Sequence, residues 1–184
     1  MRISQKIGFI GLGIMGAPMA GHLVAAGHEV FINTRSKIPE ELANSAAIAC
    51  FSPAEVASKA DIIITMVPDT PDVEKVLFGE NGVASGLSKG KVVVDMSSIS
   101  PIATKEFAKK INALGCEYLD APVSGGQLGA KGATLTIMVG GNEATFAKVK
   151  PIFELMGKNI TLVGGNGAGQ ITKVANQIIV ALNI

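Results

Sequence analysis

The sequence predicts an α/β fold: a doubly wound, mostly parallel sheet with helices on both faces. Three observations predict it. Short runs of Val, Ile and Met bounded by turn residues recur along the chain, as strands buried on both faces do. Amphipathic stretches of helical length stand between them. Finally, the 22 glycines are punctuation in a chain rich in Ala, Val and Ile, which fits many short turns.

The first unit is the clearest. Residues 7–10 read as a buried strand and residues 15–26 as a helix with Met15, Met19, Leu23 and Val24 on its apolar face. Gly11-Leu12-Gly13-Ile14-Met15-Gly16 joins them. A glycine pattern of this kind between strand and helix is the dinucleotide-binding fingerprint of Rossmann-like folds. Gly11 makes the tight turn, Gly13 lets the backbone approach a pyrophosphate, and Gly16 lets helix and strand pack closely. The helix N-terminus offers free N–H groups to the anion.

Residues 29–33 read as the second strand, and its exit bears on cofactor choice. An acidic residue at this position would hold a ribose 2′-OH. The chain has Asn33-Thr34-Arg35-Ser36-Lys37 instead. Without a local carboxylate, Arg35 and Lys37 suit a 2′-phosphate or form a solvated basic turn. NADP(H) is therefore expected ahead of NAD(H), with Asn33, Thr34 and Arg35 at the ribose.

A helix near residues 39–44 and a strand near 47–50 follow. Ser52-Pro53-Ala54-Glu55 is a helix start, with Ser52 as N-cap, Pro53 at the first position and Glu55 three residues beyond the cap. Residues 62–67 form a continuous apolar run, read as a central parallel strand, and its exit places Met66, Val67 and Pro68 on the ligand-binding edge. Residues 91–95 repeat this pattern. Ser97 and Ser98 follow, as turn residues or as contacts to nicotinamide or ribose. Ser100-Pro101 caps a helix reaching residue 114.

The second half is less regular. Strands are expected at 117–120, 134–139 and 159–163, with an amphipathic helix at 142–156. The loop Ala121-Pro122-Val123-Ser124-Gly125-Gly126 offers a hydroxyl and successive N–H groups, a nest for a carboxylate. A second glycine-rich turn, Gly164 to Gly169, opens a helix near Gln170. On it Lys173, Asn176 and Gln177 share one face, with Lys173 in the first turn. A cation there is electrostatically unfavourable, which points away from a chance placement. Beyond Gln177 the helix is apolar on nearly every side, so it is expected to be buried all round. Residues 1–164 are read as an NADP(H)-binding domain. Residues 165–184 are read as the start of a helix that continues in a longer protein, where a second domain or another subunit would cover it.

With 16 basic against 15 acidic residues and no Trp, nothing in the composition favours nucleic acid or a membrane surface. Cys50 and Cys116 lie far apart in apolar surroundings and read as reduced structural thiols. There is no metal-ligand pattern, and a cytoplasmic location is the default.

These residues together resemble the β-hydroxyacid dehydrogenase family, which includes 3-hydroxyisobutyrate dehydrogenases and tartronate semialdehyde reductases. Four motifs carry the likeness: the Gly11–Gly16 turn continuing through Ala17-Pro18-Met19, Asp120 to Gly126, Val139-Gly140-Gly141, and Gly167 to Asn176 around Lys173. Three further stretches, Met66 to Pro71, Leu77 to Gly82 and Val174 to the C-terminus, look most like the tartronate semialdehyde reductases. His22 stands where the family's opening signature usually has Asn, a change expected to alter packing more than chemistry. Thr34 stands where NAD-preferring relatives carry Asp.

The resemblance implies that residues 165–184 start an interdomain helix leading to an all-helical domain absent from this chain, with a small hydroxy or oxo acid as substrate and a homodimer or homotetramer built through that helical domain. It implies hydride transfer between nicotinamide and a short acid, with tartronate semialdehyde reduced to D-glycerate. Lys173 would be the general acid, or the base in reverse. Ser124, Gly125 and Gly126 would hold the substrate carboxylate, Asn176 would orient Lys173 or the substrate hydroxyl, and Gln177 would contact the substrate. Other short β-hydroxyacids, or a non-catalytic cofactor-binding module, are the alternatives.

Overall fold

The computed structural model describes residues 4–183; residues 1–3 and Ile184, which the sequence assigns to the two ends of its domains, lie outside the described residues. The strands are β1 (Lys6–Ile10), β2 (Glu29–Asn33), β3 (Ile48–Ala49), β4 (Ile62–Thr65), β5 (Val92–Asp95), β6 (Glu117–Asp120), β7 (Val123–Ser124), β8 (Leu135–Gly140) and β9 (Gly157–Gly164). They form one sheet. Six strands run parallel in the order β3-β2-β1-β4-β5-β6; β8 then pairs antiparallel with β6 and β7, and parallel with β9. Chain order reverses between β1 and β4. A crevice opens at such a reversal, beyond the carboxyl ends of the strands.

The expected apolar runs are strands because alternate residues are buried on opposite faces. In β4, Ile62 and Ile64 join one core and Ile63 the other. On the first face lies α1 (Gly16–Ala25), which buries Met19 and Leu23 as its spacing predicts. The first-face core also takes Val149 and Phe153 of α8 (Glu143–Phe153). On the other face lie α3 (Pro53–Lys59), α4 (Thr70–Phe78) and α6 (Pro101–Ala113), burying Val56, Leu77 and Phe107.

The expected caps form. Ser52 Oγ accepts from the Glu55 N–H at 3.1 Å, and Ser100 Oγ from Ala103 at 3.4 Å. Glu55 reaches one residue further back than a capping box would, accepting from the Phe51 N–H at 2.7 Å. The helix expected near residues 39–44 forms as α2 (Glu40–Ala43), and three helices appear beyond those expected: α4, α5 (Val83–Gly86) and α7 (Gly126–Lys131). The stretch read as a loop from Ala121 to Gly126 is also more ordered than expected, since Val123 and Ser124 pair with Ile137 and Thr136.

The last helix, α9 (Ala168–Leu182), begins two residues before Gln170. Lys173 is therefore its sixth residue and lies in the second turn, where the dipole penalty is weaker than the first-turn reading assumed. The helix is not buried all round: Ile171, Val174, Ile178, Ile179 and Leu182 are exposed. Only its first turn is packed deeply. A Cβ on Gly169 would stand 2.4 Å from the Met138 carbonyl oxygen and 2.8 Å from the Asp120 carboxylate, so helix and sheet touch backbone to backbone.

Gly169→Ala is expected to destabilise the fold by about 1–3 kcal/mol, because the backbone atoms it meets have no rotamer to give. Denaturant unfolding measures this; an unchanged midpoint would show that the helix start is mobile.

Candidate active site

The glycine turn lies at the crevice between β1 and β4, and its glycines answer to different constraints. Gly11 has φ +97°, and a Cβ on it would stand 2.2 Å from the Met66 carbonyl oxygen. Its N–H donates to the Asn33 carbonyl at 3.0 Å, tying the turn to the β2 exit. Gly16 is needed for packing, since a Cβ there would stand 1.9 Å from the Gly11 carbonyl oxygen. Gly13 has no such reason within the chain: a Cβ on it would meet nothing within 4 Å. The space above Gly13 is the room a pyrophosphate needs to reach the backbone. No side chain caps α1 and no acidic residue lies in its first turn, so this end is electrostatically open to an anion. The residues present thus fit a dinucleotide.

Two adjoining clefts line this edge. One holds Gly13, Ile14, Met15, Gly16, Met66, Val67, Pro68 and Ser98, and reaches Thr34 and Arg35. The other has a volume of about 290 Å³ and runs from Gly11 and Asn33 past Thr34 and Arg35 to Val76 of α4. Most of the residues expected at the cofactor therefore share one sheet edge. Leu12 is the exception in the turn: its side chain is buried in the core.

Ser97 and Ser98 part ways. Ser97 is buried; its Oγ accepts from the Val67 N–H at 3.0 Å and its carbonyl accepts from Gln170 Nε2 at 2.7 Å. Its side chain is spent on the scaffold, which corrects the expectation of a cofactor contact there. Ser98 is exposed and lines the central cleft.

Arg35 also differs from expectation. The β2 exit has no local carboxylate, but α4 brings Asp72 to it, and Arg35 Nη1 donates to Asp72 Oδ1 at 2.8 Å. Both ends of this pair are solvent-accessible, so it adds little stability. Any 2′-phosphate must compete with Asp72 for the guanidinium.

A third cleft continues from Ser98 along α9 to Lys173 and Gln177. Lys173 is half-buried, and burial pulls its pKa below the usual lysine range. Its Nζ donates to Gln177 Oε1 at 2.8 Å, and Asn176 Nδ2 donates to the same oxygen at 3.4 Å. Gln177, rather than Asn176, thus holds the lysine. Among the described residues no carboxylate lies within ion-pair distance of it. Ser124, Gly125 and Gly126 line none of the three clefts, nor does Asn176. The two glycines are exposed at φ +126° and +60°, leading into α7. His22 Nε2 donates to the Ala130 carbonyl at 2.9 Å, joining α1 to α7, a packing contact.

The sequence reading missed the residues beneath the site. Asp120 ends β6 fully buried; its carboxylate accepts from the N–H groups of Gly167 at 2.7 Å and Gln170 at 3.0 Å. Gln170 is buried too, accepting from the Ile99 N–H and donating to Ser97. An acid closing an apolar strand was the available signal, because such a group demands partners. Beside it in register, buried Asp95 accepts from Thr65 Oγ1 at 2.8 Å and from the Ser97 N–H at 3.1 Å.

Residues 6–165 match the family model described as the NAD binding domain of 6-phosphogluconate dehydrogenase. The chain belongs to that family. Within it the chain is 62% identical over 180 residues to 2-hydroxy-3-oxopropionate reductase of Escherichia coli, a match covering 98% of this chain and 62% of that protein. It is 40% identical to mouse mitochondrial 3-hydroxyisobutyrate dehydrogenase, covering all of this chain and 55% of that protein. Among solved structures, 3-hydroxyisobutyrate dehydrogenase of Mycobacterium tuberculosis with L-serine superposes with a TM-score of 0.89 at 36% identity, over 97% of this chain and 61% of that one. The β-hydroxyacid dehydrogenase likeness seen in the motifs thus extends along the chain. The chain spans about three-fifths of the length of these relatives.

Burial raises the Asp95 carboxyl from 3.8 to about 6. Between those values the native state keeps a proton that the unfolded chain has lost, so this contribution to stability is complete below 3.8 and disappears as pH rises through about 6. Asp95→Asn keeps an acceptor for Thr65 and removes the titration. The Tm difference between the variant and the parent is expected to move in the variant's favour between about pH 4 and pH 7. A difference independent of pH would contradict the assignment.

Proposed function

We propose that the chain forms the cofactor-binding part of an oxidoreductase that reduces tartronate semialdehyde (2-hydroxy-3-oxopropanoate) to D-glycerate, with NADP(H) preferred and Lys173 as general acid. The observation that carries this reading is the position of Lys173. It stands half-buried in a cleft that shares Ser98 with the cleft over Gly13. Similarity to the E. coli 2-hydroxy-3-oxopropionate reductase supports the choice of substrate.

When bound, the nicotinamide supplies the hydride. The carbonyl oxygen of the acid gathers negative charge as hydride arrives, and Lys173 Nζ donates a proton to it. A lowered pKa makes the ammonium a better donor near neutral pH, and the Gln177 contact aims it. In the oxidising direction the neutral amine takes the proton back. Ser124, Gly125 and Gly126 are assigned to the substrate carboxylate, held by the Ser hydroxyl and backbone N–H groups, which fixes the reacting carbon. Asn176 is assigned to the substrate hydroxyl. The part of the relatives' length that lies outside the match, assigned to an all-helical domain, completes the cleft in this reading. Arg35 turns from Asp72 to a 2′-phosphate, a charge-assisted contact unavailable to NAD(H).

The test is turnover by the intact protein on a panel of short aldehyde acids and β-hydroxyacids with each cofactor. Rapid NADPH oxidation with tartronate semialdehyde is expected. Preference for 3-hydroxyisobutyrate would move the substrate assignment, and cofactor binding without turnover would indicate a non-catalytic module. Arg35→Ala is expected to weaken NADPH by about 10–100-fold and leave NADH nearly unchanged, as befits loss of hydrogen bonds to a charged group. Asp72→Asn, which frees the guanidinium, is expected to strengthen NADPH. Equal effects on both cofactors would remove Arg35 from the 2′-phosphate.

A further inference from the structure

Phe51, like Ile14 of the glycine turn, is a large apolar side chain of the nucleotide edge that neither core accounts for. It is 99% exposed, so it contributes nothing to either core. Single exposed apolar residues are ordinary on protein surfaces. Phe51 differs in two respects. It stands on the rim of the cleft of about 290 Å³ that also includes Gly11, Thr34 and Arg35. And its backbone is pinned on both sides while its ring is free.

The pinning is specific. The Cys50 N–H donates to the Ile32 carbonyl at 2.8 Å, and Asn33 Nδ2 donates to the Cys50 carbonyl at 2.9 Å. The Phe51 N–H donates to Glu55 Oε2 at 2.7 Å, and Glu55 is in turn held by Lys59 at 2.7 Å. The segment after β3 is thus tied to the β2 exit, where a ribose would sit, and to the cap of α3. An aromatic ring is carried on a fixed backbone beside the ribose end of the site.

The cleft has an aliphatic part, made by Ile10, Pro53, Val67 and Val76, and a charged part, made by Arg35, Asp72, Lys75 and Glu80. Its volume is at the low end of ligand pockets, too small for a whole dinucleotide and suited to one flat ring system. A purine base has two apolar π-faces and polar edges. One face can lie on the aliphatic wall, which leaves the other to be covered.

We propose that Phe51 covers it: the ring stacks on the adenine of the bound dinucleotide and sets affinity for the adenosine half. This rests on the nucleotide-binding reading of the glycine turn and adds a residue to it. Stacking of a base on an aromatic side chain is sequence-tolerant and lost on truncation to Ala.

The experiment uses the 184-residue chain, which contains no Trp. NADPH and 2′,5′-ADP, the adenosine half alone, are titrated by calorimetry against the parent, Phe51→Ala and Phe51→Trp. Phe51→Ala is expected to weaken both ligands roughly tenfold, with an unchanged Tm because the side chain is exposed. Phe51→Trp is expected to restore affinity, and the emission of its single indole is expected to change on saturation with 2′,5′-ADP. Parent-like affinity in Phe51→Ala, or an indole emission unmoved by bound 2′,5′-ADP, would overturn the role of Phe51 and leave the nucleotide site standing. A parent chain that binds neither ligand would overturn the site reading and the proposal together.

Discussion

The carboxylate of Asp120 joins the sheet to the helix that bears Lys173. A charge in this position is costly unless it is met by hydrogen bonds. Here the first N–H groups of α9 meet it, and those are the groups a helix leaves without partners. Two needs are satisfied by one contact, and the helix dipole adds to it. Burial pushes the Asp120 carboxyl up while the N–H groups of Gly167 and Gln170 pull it down, so the two influences oppose each other at this residue. Glycines at 140 and 169 leave the space the carboxylate occupies. Gln170 then fastens the same turn of helix to the loop after β5, at Ser97 and Ile99. Lys173 lies three residues further along a helix whose start is fixed in this way.

The second fixed point is the glycine turn. Gly11 and Gly16 are demanded by contacts within the chain, whereas Gly13 faces open space. That asymmetry makes the turn a binding feature as well as a structural one. Ser97 connects the two points from beneath, since its Oγ holds Val67 on one side and its carbonyl holds Gln170 on the other. Cofactor edge and lysine helix are therefore parts of one hydrogen-bonded frame, and Ser98 is the surface residue where their clefts meet.

Much of this was legible beforehand. Continuous apolar runs such as Ile62-Ile63-Ile64 fold as central strands because both faces are covered, and the Ser-Pro starts at residues 52 and 100 cap helices locally. What escaped was what depends on distant residues. Asp120 meets partners 47 and 50 positions away, and Arg35 meets Asp72 across 37. No local pattern announces such pairs. Ser97 and Ser98 are equivalent as sequence, but only the turn's geometry sends one inward and the other out. The short α7 escaped for another reason: its glycines read as loop while packing holds them helical. Lys173 lies in the second turn of α9 rather than the first because the helix starts at a glycine cap with φ +89°, a start that carries no Ser, Thr or Asp signal.

The most direct measurement is NADPH binding and NADPH-dependent reduction of tartronate semialdehyde by Lys173→Ala in the intact protein, beside the parent. Retained NADPH affinity with turnover reduced by about two orders of magnitude or more is the expected result for loss of a general acid. Turnover equal to the parent's would place the proton donor elsewhere and contradict the role given to Lys173.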